Sequence, residues 1–268
     1  VKNTREGEHQ HTKGGPHLQY GKSGQRRKML RGFAYGLWSG SVTQFYEITS
    51  FKEGMGKFFS PHPEPGDDTM NRKAPTREEA YALLLEYNKS ESLMKHALAV
   101  EGVMRYFARK RGEDEDKWGI IGLVHDLDYE KFPDEHCRKS EEILDARNWP
   151  EDYIRAVVSH GWGICTEVEP VTELEKTLYA VDELTGLVAT TALIRPSKSI
   201  LDVKTKSVKK KWKDKRFAAG VNRSIIEKGA DMLGVEISEL ITDTISGMAA
   251  VAEEIGLKGT PQTDVGKP

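Results

Sequence analysis

Six ionisable side chains interrupt otherwise apolar helical patterns in the later part of the chain: His96, His125, Asp126, His136, His160 and Asp182. Hydrophobic helix faces normally exclude such groups, because an unpaired buried ion costs several kcal/mol. A metal cation bound among them would remove that cost. Mixed imidazole and carboxylate ligands are typical of Mn, Fe, Co, Ni or Zn, so the set predicts one or two divalent transition metals. Six ligands fit two ions that share a bridging carboxylate better than a single ion.

Taken one at a time, these residues have a simpler interpretation. A histidine on an apolar helix face is more often a hydrogen-bonded core residue than a metal ligand, and a His-Asp dipeptide occurs readily by chance. His96, for example, shares a helical stripe with Val100, Val103 and Phe107. The hypothesis of a metal site therefore depends on the six residues as a set.

Helical periodicity and capping signals recur from residue 70 onward, and alternating β-patterns are essentially missing. Thr76 with Glu79, and Thr172 with Glu175, form predicted capping boxes at two helix starts. The pattern predicts helices that begin near residue 76 and that cover approximately 90–110, 114–126, 134–147, 150–161, 172–194, 224–233 and 238–255. The expected fold class is therefore all-α.

The first 69 residues differ in composition from the rest. They hold eleven of the 25 glycines and four of the 11 prolines, but only six Leu, Ile or Val, too few to build a core. We expect residues 1–69 to be an irregular leader that is either disordered or, with the natural start at Met70, not native to the protein. We expect residues 70–258 to form the helical domain and residues 259–268 to be a disordered tail.

Composition and charge exclude several classes of function. The chain carries 40 Lys and Arg against 42 Asp and Glu, a net charge of −2, which argues against a protein that binds nucleic-acid polymers or membrane surfaces. Its longest apolar run, Gly119 to Val124, is far shorter than the roughly 18 to 20 residues that cross a bilayer. Two cysteines, Cys137 and Cys165, cannot form a disulfide framework. We therefore expect a cytoplasmic protein.

The order of four of the six residues resembles the signature of a known superfamily. His96, then His125 with Asp126, then Asp182 is similar to the H…HD…D pattern of the HD-domain (HDIG-type) metal-dependent phosphohydrolases. Those proteins are all-helical, so the resemblance implies an HD-domain helical bundle. It covers residues 70 to about 257 and does not extend to the leader.

The resemblance implies that the four residues of this signature bind a first metal. Asp126 would bridge to a second metal bound by His136 and His160, since two-metal members carry extra histidines between the HD pair and the last aspartate. Water between the two cations would lose a proton near neutral pH and attack phosphorus as hydroxide. Asp128 would orient that hydroxide, the alternative being a solvated carboxylate in a turn. Lys131 would contact the substrate phosphate.

Two motifs of particular subfamilies are missing from the sequence. Some subfamilies place Gly-Lys directly after the HD pair, whereas here Leu127 and Asp128 follow it and Lys131 is displaced. The Gly-Tyr-Pro motif of the branch that cleaves cyclic di-GMP is replaced by Gly161-Trp162-Gly163 after His160. This difference disfavours cyclic di-GMP as the substrate.

A cationic segment runs from Arg195 to Arg223, in a region that is otherwise net acidic. Such a concentration of positive charge would attract a nucleotide or a phosphorylated metabolite towards the metals. Arg195, Lys198, Lys209 and Arg223 are the candidate substrate-binding residues of this segment. The alternative is that the segment is a solvated basic face.

The leading hypothesis is a phosphomonoesterase or phosphodiesterase that acts on a nucleotide-like or other small phosphorylated substrate. Two alternatives keep the same fold. One is an HD-fold di-iron oxygenase with a similar six-ligand set, and the other is a non-catalytic sensor that binds a nucleotide around a structural metal. A last alternative is a packed polar core that binds no ligand.

Overall fold

Nine α-helices and two 3₁₀ turns form the regular structure of residues 72–259, the part of the chain that the computed structural model describes. The helices are α1 (Arg77–Tyr87), α2 (Glu91–Arg111), α3 (Glu115–Val124), α4 (Arg138–Ala146), α5 (Glu151–Ser159), α6 (Glu173–Leu193), α7 (Thr205–Trp212), α8 (Arg223–Leu233) and α9 (Ile237–Ala250). Between residues 72 and 259 there is no β-strand. The prediction of an all-α fold is confirmed, whereas those for residues 1–69 and for the tail from 260 onward lie outside the described residues.

The ends of several helices are set by the local signals that the sequence contains. At the start of α1, the Thr76 side chain accepts a hydrogen bond from the Glu79 backbone N–H, and the Glu79 carboxylate accepts one from the Thr76 N–H at 2.7 Å. At the end of α2, Gly112 adopts a left-handed φ of 73°, which a residue without a Cβ tolerates best. These helix ends are therefore fixed by contacts between residues that are only a few positions apart in the sequence.

The predicted helix over 134–147 is wrong at its start. Residues Pro133–Glu135 form a 3₁₀ turn, His136 is extended, and Cys137 has a φ of 68°, so that α4 begins only at Arg138. The physical reason is a long-range contact, since a buried carboxylate holds the residues on either side of this break. His136 consequently precedes α4 instead of lying on one of its faces.

Helix α7 was not predicted, because its sequence is dominated by lysines that give no apolar stripe. Val208 is the buried residue of this helix, and Trp212 packs against the core from its last turn. The described segments include no helix that is long and apolar enough to cross a membrane.

Helix α2 packs against α3, α6 and α9. Its contact with α9 is close, because a Cβ added to Gly247 would lie 2.6 Å from the Val103 Cα. Val100, Val103 and Met104 are fully buried along the same helix. This packing places His96, one turn before Val100, in the interior between α3 and α6 rather than at the surface.

Candidate metal centre

The first group of candidate ligands comes from three helices. His96 lies on α2, His125 and Asp126 directly follow α3, and Asp182 lies in the middle of α6. All four are buried, and one potential ligand atom of each lies within 4.8 Å of the others. The His96 Nε2 is 3.0 Å from the Asp182 Oδ1 and 3.2 Å from the His125 Nε2.

The second group shares Asp126 with the first. Its Oδ1 lies 3.3 Å from the His136 Nε2 and 3.4 Å from the His160 Nε2, and those two nitrogens are 3.2 Å apart. Its other oxygen, Oδ2, lies 3.3 Å from the His125 Nε2 in the first group. The structure therefore brings all six side chains together, with the Asp126 carboxylate between the two groups.

Backbone carbonyls determine which ring nitrogen of two histidines faces the cluster. The His125 Nδ1 lies 2.8 Å from the Gly122 carbonyl oxygen, and the His160 Nδ1 contacts the Val157 carbonyl oxygen in the same way. A carbonyl oxygen only accepts hydrogen bonds, so each Nδ1 must be the donor. In the neutral imidazole, the Nε2 then presents a lone pair to the cluster, which is the form that binds metals.

The second group consists of acceptors that face one another. The His136 Nδ1 donates to the Asp128 carboxylate, which leaves the His136 Nε2 as an acceptor in the neutral ring, like the His160 Nε2. The Asp126 Oδ1 is the third acceptor. Three acceptors within 3.4 Å of one another repel unless a cation or a proton lies between them. The donor set therefore fits a divalent transition metal.

The electrostatics of the first group favour positive charge. Burial by itself lowers the pKa of His125, but the Asp126 and Asp182 carboxylates outweigh it and raise that pKa to about 10. Burial likewise acts to raise the pKa of Asp126, but the contact with His125 outweighs burial. The pKa of this carboxyl therefore lies well below its ordinary value. Without a metal, a proton on His125 supplies the positive charge that the two carboxylates require; a bound cation would take its place.

Asp128 is fully buried and lies behind His136. Its Oδ1 accepts the hydrogen bond from the His136 Nδ1 at 2.7 Å, and its Oδ2 accepts one from the Ser140 backbone N–H at 2.9 Å. Neither the expected role of orienting a hydroxide nor the solvated alternative agrees with this position, because both carboxylate oxygens are used in holding His136 and α4. Nothing in the local sequence pattern signals this contact, which spans eight positions.

Lys131 is not directed at the cluster. Its Nζ donates to the Glu86 carbonyl oxygen at 2.7 Å and lies 4.6 Å from the centre of the Tyr87 ring. The neighbouring Glu130 accepts hydrogen bonds from two backbone N–H groups at the start of α2. This turn therefore joins the end of α1 to α2, and the expected contact of Lys131 with a substrate phosphate is not supported by its placement.

The four candidate substrate-binding residues do not form one site. Arg195 and Lys198 follow the end of α6, which at about 1.5 Å per residue puts Arg195 about 20 Å along the helix from Asp182. Arg223 donates to the carbonyl of residue 212, at the end of α7, and to those of residues 214 and 217 in the loop before α8. Lys209 is exposed on α7. Arg223 thus holds this segment and also lines the cavity beside α6, whereas Arg195 and Lys198 lie away from the cluster.

A cavity of about 610 Å³ opens beside the ligand-bearing elements. Its walls include residues from the turn after His160, from α6, from the end of α7 and from the segment that leads into α8: Ile164, Glu183, Trp212, Lys213, Lys215, Asn222 and Arg223. Glu183 directly follows Asp182 and accepts a hydrogen bond from the Asn222 backbone N–H at 3.2 Å. Sequence reasoning missed Glu183, because an acidic residue beside a buried aspartate looks like an ordinary solvated helix residue.

Comparison with known proteins finds a family match for part of the chain. Residues 93–187 match the family model described as HD domain, a range that spans all six residues of the two groups. No curated protein and no solved structure matches the chain. This match and the all-helical fold support the assignment of residues 93–187 to an HD domain.

Proposed function

We propose that the protein hydrolyses phosphoric esters of a small, nucleotide-like substrate with one or two divalent transition metals. The observation that carries this proposal is the position of Asp126, whose two oxygens face separate groups of histidines. A carboxylate shared in this way is the feature of a two-metal site, in which both the attacking and the leaving oxygen of a phosphoryl transfer are stabilised.

Each ligand has a distinct part in the proposed centre. His96, His125 and Asp182 would hold one ion with Asp126, while His136 and His160 would hold the other with the same carboxylate. Such ions, when bound, lower the pKa of water and neutralise charge on phosphate oxygens. The Gly122 and Val157 carbonyls keep the rings of His125 and His160 turned so that the Nε2 lone pairs face inward.

The cavity beside α6 is the proposed site for the organic part of the substrate. Its volume of about 610 Å³ lies within the range of about 300 to 1,000 Å³ that is typical of small-molecule sites. Lys213 and Lys215 would attract phosphate groups, and the Trp212 ring offers a flat apolar surface for a base. Because Glu183 in this wall follows Asp182, a substrate held here would lie next to the ligand-bearing turn of α6.

The test is a panel of phosphate esters and nucleotides assayed with the protein loaded in turn with Mn, Fe, Co, Ni or Zn. We expect phosphate release that depends on the metal and is lost in Asp126→Ala. Lys209→Ala, a change at an exposed position of α7 outside the cavity wall, is the matched control and should retain activity. Full activity of Asp126→Ala would contradict the proposal.

The same panel separates the two alternatives. Oxygen consumption by the iron-loaded protein without phosphate release would support an oxygenase instead. Tight binding of a nucleotide with no turnover under any of the five metals would support a sensor. Either result would overturn the proposed hydrolysis while leaving the metal centre in place.

A further inference from the structure

Two cysteine side chains meet beside the second ligand group. Cys137 directly follows His136, and Cys165 lies in the tight turn that follows His160. Their Sγ atoms are 2.9 Å apart, although the residues are separated by 28 positions in the chain. Each thiol is thus attached to a segment that carries one of the two histidines of that group.

The local backbone makes room for this sulfur pair. A Cβ added to Gly161 would overlap the Sγ atoms of both cysteines, so the absence of a side chain there allows them to meet. The Gly161 carbonyl oxygen accepts hydrogen bonds from the backbone N–H groups of Ile164 and Cys165, which closes the turn. In the segment that carries the other cysteine, Cys137 has a φ of 68°, a conformation that residues other than glycine rarely adopt.

The two thiols differ in access to solvent. Cys165 is exposed, whereas Cys137 is buried. An oxidant from solution therefore reaches Cys165 first, and Cys137 is placed to react with the oxidised Cys165. This arrangement of an accessible sulfur with a resolving sulfur next to it is typical of redox-sensitive cysteine pairs.

We propose that Cys137 and Cys165 are a redox modification site, in which a reversible disulfide ties the His136 segment to the His160 turn. With a low-molecular-weight disulfide as the oxidant, the Cys165 sulfur attacks one of its sulfurs and releases a first thiol. The Cys137 sulfur then attacks the Cys165 sulfur of the mixed disulfide and releases a second thiol. The two cysteines lose two electrons and two protons. These electrons and protons are taken up by the two released thiols.

The disulfide would alter the second ligand group. An S–S bond is about 2.0 Å long, so closing the pair draws the two segments together by less than about 1 Å. Ligand positions in metal sites must be held to within about 0.5 Å, and the His136 and His160 side chains start from these two segments. Oxidation should therefore lower the affinity of this group for a metal ion. The inference concerns the thiols and the ligands and does not depend on the reaction that the protein catalyses.

The experiment uses the full chain, which contains only these two cysteines. Reduced protein is equilibrated at a series of ratios of reduced to oxidised glutathione, then acid-quenched, alkylated and weighed by mass spectrometry. We expect both thiols to become resistant to alkylation together, without a glutathione adduct, and to return on reduction. Cys137→Ser should instead accumulate a glutathione adduct on Cys165, and Cys165→Ser should keep Cys137 alkylatable at ratios that oxidise the unaltered protein.

A second readout follows the metal. Titration of Mn²⁺ into the reduced and oxidised forms by calorimetry should show at least a several-fold weaker second site in the oxidised form. Cys165→Ser, treated with the same oxidant, should bind Mn²⁺ as the reduced protein does. Three results would each overturn the proposal. They are alkylation of Cys137 at every glutathione ratio, a disulfide that forms only between two chains, and equal Mn²⁺ binding by the reduced and oxidised forms.

Discussion

His136 donates its Nδ1 hydrogen to Asp128 across 2.7 Å, and Asp128 has no surface exposed to solvent. The second oxygen of the same carboxylate accepts a hydrogen bond from the Ser140 backbone N–H near the start of α4. A carboxylate behind a histidine fixes the ring and the neutral tautomer that carries its lone pair on the far nitrogen, and it makes that nitrogen a better metal ligand. Asp128 is therefore a positioning residue for the proposed second metal.

Asp128→Asn should weaken metal binding at the second group by about 10-fold to 100-fold. The amide cannot accept hydrogen bonds from both His136 and Ser140, because its nitrogen is a donor. Calorimetric titration with Mn²⁺ measures the change. Ser140→Ala is the matched control, because it retains the backbone N–H and removes a buried hydroxyl that has no hydrogen-bond partner in the described part of the chain. Equal losses in the two variants would contradict the positioning role.

Substitutions in the two ligand groups should change the number of bound ions in different ways. His160→Gln removes a ligand of the second group alone, and Asp182→Asn removes one of the first group alone. Each should leave about one ion per chain, whereas Asp126→Ala should lower the occupancy of both sites because its carboxylate faces both groups. Elemental analysis of protein equilibrated with the same metal gives the ratio. Full occupancy of one site in Asp126→Ala would show that the carboxylate is not shared.

Metal binding should raise the thermal stability of the protein. The facing acceptors of the second group repel one another in the folded state, and a cation removes that repulsion. A ligand present at about 100 times its Kd stabilises the folded state by about 2.7 kcal/mol. We expect Tm to rise with added Mn²⁺ or Zn²⁺ and to return after chelation, as followed by calorimetry. Asp126→Ala should show a much smaller rise, and an equal rise would place the ion elsewhere.

Glu101 should contribute to the fold without contributing to the site. Its buried carboxylate accepts hydrogen bonds from Arg77 at 2.6 and 2.9 Å and from Arg105 at 3.0 Å. Glu101→Gln loses one of these acceptors, which should cost about 2 kcal/mol of unfolding free energy, since bonds to charged groups contribute about 1.5 to 3 kcal/mol. Urea denaturation measures this loss, and Mn²⁺ binding should be unchanged.

Glu91→Gln serves as the comparison for Glu101. Glu91 is exposed and forms an ion pair with the half-buried Lys95 one turn along the same helix, where solvent screens the interaction. We expect no measurable change in the urea midpoint for this variant. A loss as large as that of Glu101→Gln would mean that burial is not what makes the Glu101 contacts important.

The local features of the fold were predictable because they act over a few residues. The capping boxes at Thr76 and Thr172 and the terminating Gly112 are contacts between near neighbours in sequence, and the helix ends agree with them. The start of α4 was not predictable in this way. It depends on Asp128, which is twelve positions away from Ser140 and reaches it only through a turn.

The sequence by itself determined that the chain is helical and that four histidines and two aspartates interrupt apolar stretches, because periodicity and residue chemistry are local properties. Only the tertiary structure decided that the Asp126 carboxylate lies between two groups of histidines, that Lys131 faces Tyr87 and that two cysteines meet. Such contacts join residues as far as 86 positions apart, as between His96 and Asp182. Their distances depend on how helices pack, which no local pattern contains.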